Sequence, residues 1–438
     1  MKKIYENNFW YFVLRYLTDA HFRGCFKRLQ YVGRKNLPDD GAVILAPNHC
    51  NALMDAFGVL DMDHNSKVFV ARADIFQNPA IAKVLTFLKI MPINRVRDGF
   101  RSVLSSDDTT EKCIEVLNNQ VPFCILPEGT HRSMHSLLPL GKGLSRIACG
   151  AVKTITDGRH VYIVPIGLEY GDYFRLRSSL LVSLGQAIDV TELMAAHPEM
   201  NEPQLLNLIR ELTADSLKQQ IVYIPDDNDY EAVWELAKLM SGNISEYRLQ
   251  ERKAANRAAV EKLERLRKQK PDKARMLFEK AVAWKQARQE AKISLHAART
   301  RHPLGAALWR TVKMLLALPF GLAFTLVSVL AWGGGEWLAS RTDDASFRNS
   351  LRFGVLTVVW TILLIVAAIV LFCTVKWYWA LAALVLLMPA PYLAYEWFEQ
   401  LRRLASSWRY LCNSRLRRQK QVLLEELDED LKTNEKQA

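Results

Sequence analysis

Residues 41–55 read GAVILAPNHCNALMD, an apolar run that stops at Pro47 and delivers Asn48, His49 and then Asp55. Ala42 to Ala46 has the short aliphatic character of a buried parallel strand, and proline, which has no N–H, cannot extend it. The pattern predicts strand, turn, helix. His49 then stands at the carboxyl end of a strand, where open α/β sheets place their ligands. Asn51 is the expected N-cap of a helix starting at Ala52, with Asp55 in its first turns. One continuous helix would turn His49 and Asp55 roughly 120° apart at about 100° per residue, so the two face each other only if His49 lies on the preceding loop. A carboxylate bonded to one imidazole nitrogen fixes the tautomer and leaves the other nitrogen to take a proton from an alcohol.

A histidine beside an aspartate is more often structural than catalytic, and three further stretches change that balance. They are IMPINR (90–95), LPEGTHRS (126–133) and IVPIG (163–167), in this order along the chain. With NHCNALMD (48–55) they resemble the four sequence blocks of the glycerolipid acyltransferase family, membrane enzymes that acylate glycerol-3-phosphate or lysophosphatidic acid. The resemblance covers Tyr31 to Gly185. It implies an α/β acyltransferase domain with a mainly parallel sheet, His49 as general base and Asp55 as its partner. It also implies an acceptor site built from Asn51, Arg95, Glu128, Gly129, Thr130, His131 and Arg132.

The blocks depart from the family pattern in places. Five residues, Cys50 to Met54, separate His49 from Asp55 where four are usual. Lys89 stands where glycine is common, and Pro92 replaces an aromatic, which leaves Arg95 as the cation to carry over. His131 intrudes between Thr130 and Arg132, so the phosphate ligand is Arg95 together with either His131 or Arg132. Glu128, a carboxylate, does not meet phosphate directly without cost; its expected task is to orient these arginines, a plain loop ion pair with Arg132 being the alternative. Lys142, just before a predicted helix, is a candidate for the anionic part of the acyl donor.

No cofactor is implied. The co-substrate is a thioester, acyl-CoA or acyl carrier protein, and the family transfers directly, so Cys50 is not expected to act as a nucleophile. Glu128, His131 and His135 lack the HExxH pattern of a metal helix, so no metal is expected.

The 438 residues exceed one ordinary domain, and a net charge of +12 points to anionic partners. Lipid head groups fit; nucleic acid does not, since no recognised nucleic-acid motif or zinc spacing is present. Seven cysteines, odd in number and without pairing pattern, favour a reducing compartment.

The organisation expected is fivefold. Residues 1–40 form an aromatic, basic membrane-interface element in which Arg15, Arg23, Lys27 and Arg28 meet anionic lipid, an amphipathic helix packed on the domain being the alternative. Residues 41–225 are the α/β domain. Residues 226–302 form a basic helical hairpin divided at Pro271; Arg248 to Arg301 holds 17 basic and 6 acidic residues, nearly the whole net charge. It is read as a solvated hairpin or as an arm along an anionic membrane.

Residues 303–400 hold three apolar stretches near the ~20 residues a membrane helix needs: Met314 to Trp332, Val355 to Val375 and Ala380 to Phe398. Flanking arginines put both ends of the last two in the cytoplasm, with a turn at Lys376 to Trp379. The first, interrupted by Pro319 and Gly321, is expected to re-enter or lie in the interface. Residues 401–438 are a basic, then acidic, cytoplasmic tail.

The protein is thus expected in the membrane as an integral protein, with its catalytic domain facing the cytoplasm and with membrane lipids and the acyl donor as partners. Other lyso-lipid acceptors, such as an acylated amino acid, and a non-catalytic membrane scaffold are the competing readings.

Overall fold

The strands predicted from short aliphatic runs assemble into one mainly parallel sheet. The computed structural model describes residues 3–93 and 106–435, which fall into two compact units. The first comprises Met1–Ile221 with Thr342–Ser350, and the second Val222–Arg341 with Leu351–Ala438. Arg95 lies outside the described residues.

In the first unit the strands are β1 (Phe26–Val32), β2 (Ala42–Pro47), β3 (Val68–Arg72), β4 (Ile90–Ile93), β5 (Phe123–Cys124), β6 (Val161–Tyr170), β7 (Ser178–Leu184) and β8 (Ile188–Asp189). Their order is β1-β7-β6-β2-β5-β3-β4, with β8 on β6. Among the described residues, only the pairings of β6 with β7 and with β8 are antiparallel. All six residues of β2 are buried, as a parallel strand covered on both faces requires. Pro47 ends β2 opposite Ile166, one residue later than the sequence suggests.

Helices α1 (Phe9–Gly24), α2 (Leu53–Leu60), α3 (Pro79–Phe87), α4 (Ser106–Asn118), α5 (Gly143–Thr154), α6 (Val190–Ala196) and α7 (Glu202–Gln220) surround the sheet. Ile44, Phe123 and Ile163 from the sheet pack with Leu117 of α4, Ile147 of α5 and Ile209 of α7. Gly167, which closes the fourth sequence block, has no room for a side chain, because a Cβ would collide with the Gln220 carbonyl at the end of α7.

The stretch 1–40 is not a separate element, since β1 is a strand of the sheet, paired with β7. Helix α1 exposes Phe9, Trp10, Val13 and Tyr16 but buries Tyr11, Arg15, Asp19 and Phe22. Arg15 therefore does not face lipid: it is ion-paired to Asp19 at 2.8 Å and donates to the Asp63 carbonyl. Arg23 is likewise held by Asp61.

The second unit begins with α8 (Tyr230–Met240), α9 (Leu249–Gln269), α10 (Pro271–Glu290) and α11 (Leu295–Ala298). It continues through α12 (Pro303–Val327), α13 (Val329–Ala339), α14 (Arg348–Val355), α15 (Thr361–Thr374), α16 (Trp377–Leu387), α17 (Ala390–Cys412) and α18 (Ser414–Glu435). Pro271 does divide two long basic helices, yet these are neither a free hairpin nor an extended arm. Leu263, Leu277, Phe278 and Trp284 bury themselves against Leu423 and Leu427 of α18. The acidic end of the chain answers the basic helices, with Lys280 paired to Glu426 at 2.7 Å and Lys273 to Asp430 at 3.0 Å. Charge counting along the sequence missed this because the two signs lie in segments far apart.

Among the described residues, three helical stretches are long and apolar enough to cross a membrane: Pro303–Val327, Ala345–Thr374 and Trp377–Cys412. Helix α12 runs unbroken through Pro319 and Gly321, the features that had marked it as interrupted. Gly321 instead admits the indole of Trp397 from α17. A stretch of polar residues, Thr342–Ser350, joins the first unit although the chain on either side belongs to the second.

Candidate active site

His49 sits on the loop between β2 and α2, as the helical phase demanded, and its Nδ1 lies 2.8 Å from Asp55 Oδ2. The expected cap is displaced by one residue and changed in kind. Helix α2 starts at Leu53 after Ala52 at φ 47°, a left-handed value for a residue with a side chain, and Asn51 makes no cap. Asp55 reaches back instead: its Oδ2 accepts from the Cys50 and Asn51 N–H groups, each at 2.7 Å. The same oxygen thus shapes the loop and holds the ring. With Nδ1 donating to Asp55, His49 Nε2 is the acceptor, and it makes no hydrogen bond among the described residues. The His49 side chain is 16% exposed and that of Asp55 0%, so the base is reachable and its partner is not.

The second wall of the site comes from β5, which is the neighbour of β2 in the sheet (Leu45 opposite Cys124). Glu128 follows it, and among the described residues its carboxylate goes to backbone donors rather than to arginines. Oε1 accepts from His49 N at 2.6 Å and Oε2 from Leu138 N at 2.8 Å. Burial, against the pull of those two bonds, raises its pKa above the usual glutamate value. Gly129 occupies φ 68°, which suits glycine, and Thr130 is exposed. Arg132 N donates to the His49 carbonyl at 3.1 Å, and Ser133 Oγ to the Cys50 carbonyl at 2.9 Å. The loop after β5 and the loop after β2 are therefore bonded along their length.

The His131 ring meets the His49 ring edge to face at 5.3 Å. Arg132 Nη2 donates to Ser136 Oγ at 2.7 Å. Lys142 stands exposed before α5, and its ammonium has no partner among the described residues. Asn51 is buried, with no partner for its Oδ1 among the described residues. Cys50 is also buried, and burial, with Asp55 nearby, pushes its thiol pKa well up, which leaves it a poor nucleophile.

Residues 28–169, which contain all of these groups, match the family model described as Acyltransferase. They are an acyltransferase-family domain.

Among curated proteins, this acyltransferase domain is similar to the 1-acyl-sn-glycerol-3-phosphate acyltransferase BAT2, chloroplastic, of Brassica napus, at 26% identity over 124 residues. That match takes in 28% of this chain and 34% of the relative, so the chain spans about a third of the length of that protein. Among solved structures, the crystal structure of the 1-acyl-sn-glycerophosphate (LPA) acyltransferase PlsC from Thermotoga maritima aligns at 22% identity and a TM-score of 0.34. The alignment covers 47% of this chain and 79% of that one.

Two parts of the candidate site are not foreshadowed in the sequence blocks. Tyr170, at the end of β6, donates its hydroxyl to Asp55 Oδ1 at 2.8 Å; burial and the adjacent carboxylate raise its pKa well above the ordinary tyrosine value and keep it a donor. The other is the polar strap 342–350. Asp344 Oδ2 lies 2.7 Å from His131 Nε2, and Ser346 Oγ lies 2.7 Å from Ser133 Oγ. Asn349 donates to the Tyr173 carbonyl at 2.8 Å, and Ser350 Oγ accepts from Leu53 N at 3.2 Å. Burial would raise the Asp344 carboxyl, but the His131 hydrogen bond and the Ser346 and Phe347 N–H groups bring it below its usual value. His131 thus has a carboxylate on its Nε2, so an acceptor phosphate would have to share or displace that contact.

Proposed function

We propose that the chain is a membrane-bound O-acyltransferase, moving a fatty acyl group from acyl-CoA or an acyl carrier protein thioester to a hydroxyl of lysophosphatidic acid or glycerol-3-phosphate. The observation that carries this reading is the His49–Asp55 pair at 2.8 Å, with Nε2 of the partly exposed ring unengaged among the described residues. In this reading His49 Nε2 takes the hydroxyl proton as the oxygen attacks the thioester carbonyl. The tetrahedral intermediate then collapses, the C–S bond breaks, and the proton passes from the imidazolium to the departing thiolate. Asp55, already hydrogen-bonded to Nδ1, stabilises the imidazolium in between. Arg95 and Arg132 or His131 supply positive charge for the acceptor phosphate, and Lys142 is the candidate for the donor side. Arginines at positions 348, 352, 402, 403 and 409 favour a cytoplasmic face for the catalytic unit.

Purified full chain, assayed against a panel of lyso-lipid acceptors with both donor types, tests the substrate class. His49→Ala is expected to lower turnover by about 10² to 10⁴ fold while circular dichroism stays unchanged. Wild-type turnover in that variant would end the mechanism. Activity confined to a lyso-lipid without phosphate would remove the assigned acceptor but keep the base.

A further inference from the structure

Where α12 begins and α17 ends its apolar course, cations are gathered with few acids to meet them. Arg403 of α17 is neutralised, by Glu246 at 2.7 Å and Glu399 at 3.0 Å. Arg310 of α12 reaches only neutral groups, donating to Ser407 Oγ and, at 2.7 Å, to His296 Nε2. Arg299 donates to Ser241 Oγ at 3.3 Å, while its Nε is buried without an acceptor among the described residues. Burial, with Arg252 adding like charge, lowers Arg299 to about 10. Burial, with Arg403 and Arg310 nearby, lowers His296 to about 4, so its ring is neutral and able to accept. Glu246 attracts Arg310 from a distance but is paired with Arg403, so among the described residues neither Arg299 nor Arg310 has a carboxylate hydrogen-bonded to it; guanidiniums removed in part from water in this way are expensive unless an anion joins them.

The depth of the cluster is marked by tryptophans. Trp309 and Trp408 flank Arg310 and Ser407, and both are exposed. The Trp408 indole donates to Thr311 Oγ1 at 3.0 Å, which fixes the antiparallel register of α12 and α17 at this level. Exposed tryptophans concentrate at the boundary between hydrocarbon and head groups. Trp309, Leu316 and Phe320 make an exposed apolar stripe along α12, about 100° round the helix from Arg310. Phosphate at one end and hydrocarbon along the stripe is the layout of a phospholipid.

We propose that His296, Arg299 and Arg310 form a binding site for the head-group phosphate of an anionic phospholipid, whose acyl chain lies along α12. Guanidinium forks match phosphate oxygens, and the orphaned Nε of Arg299 supplies a donor for one of them. The site lies wholly in the second unit and does not depend on the acyl-transfer reading.

The test uses the purified full chain in neutral detergent, with thermal unfolding followed during titration with phosphatidylglycerol, phosphatidylcholine or inorganic phosphate. Phosphatidylglycerol is expected to raise the Tm saturably, and the other two to do so weakly or not at all. Arg299→Gln and Arg310→Gln should each weaken the apparent affinity about fivefold, the equivalent of ~1 kcal/mol per cation near an anionic surface. The double variant Arg265→Gln/Lys268→Gln, which removes two charges from an exposed helix face where each site variant removes one, should behave as wild type. In lipid-free detergent Arg299→Gln should melt no lower than wild type, because it removes a charge that nothing neutralises; a lower Tm would mean that Arg299 is structural and would overturn the site. Equal shifts in wild type and Arg310→Gln, or a response to inorganic phosphate as large as to phosphatidylglycerol, would overturn it as well.

Discussion

Asp55 is the residue on which most of the site converges, since one buried carboxylate accepts from His49, Cys50 N, Asn51 N and Tyr170. Tyr170→Phe would leave Oδ1 with only the 3.8 Å Cys50 thiol contact. That change is expected to cost about 1–3 kcal/mol of stability, the usual penalty for a buried acceptor left unmade, and to reduce turnover far less than His49→Ala; a thermal melt beside a turnover measurement checks both. Alkylating the native protein with iodoacetamide should leave activity intact, because Cys50 is buried and its thiol pKa is raised, whereas Cys412 is exposed. Peptide mapping would locate the label, and loss of activity tracking label at Cys50 would reopen the nucleophile question. His49 and Asp55 were legible because two chemically distinctive side chains stand close together after a strand. Tyr170 was not, since it reaches Asp55 only through the pairing of β6 beside β2, across 115 positions of chain. Glu128 was found by its motif, but the two backbone N–H groups it accepts from were not: sequence shows a carboxylate near arginines and says nothing of His49 N and Leu138 N.

Among the elements, the sheet was readable and the strap was not. Unbroken aliphatic runs announce parallel strands, and even the neighbouring positions of β2 and β5 follow from requiring His49 and Glu128 at one edge. Residues 342–350, by contrast, read TDDASFRNS, a polar link between apolar stretches with no periodicity to show a destination. Their partners lie as far as 297 positions away. The double variant Asn349→Ala/Ser350→Ala removes the strap's hydrogen bonds to the Tyr173 carbonyl and to Leu53 N. It is expected to speed limited proteolysis between Thr342 and Phe347 and to raise the acceptor KM several-fold, with kcat changed less. A rise in the donor KM instead would place the strap on the thioester side.

For the whole molecule, the acyltransferase domain is not a continuous piece of chain, and excising residues 1–221 removes the strap. That fragment is expected to keep the circular dichroism of an α/β protein and to melt cooperatively, yet to transfer acyl groups poorly even onto detergent-dispersed acceptor. Activity equal to the full chain would show the strap to be dispensable. The same discontinuity puts a clock on the protein. The last strand of the sheet closes at Asp189, whereas Ser350 is added only after the whole of α12 and α13 has been made. At about 5–20 residues per second, that interval is on the order of ten seconds. During it a nascent chain has its base and its sheet but no strap, so the site is finished only after the first apolar helix has been committed to its surroundings.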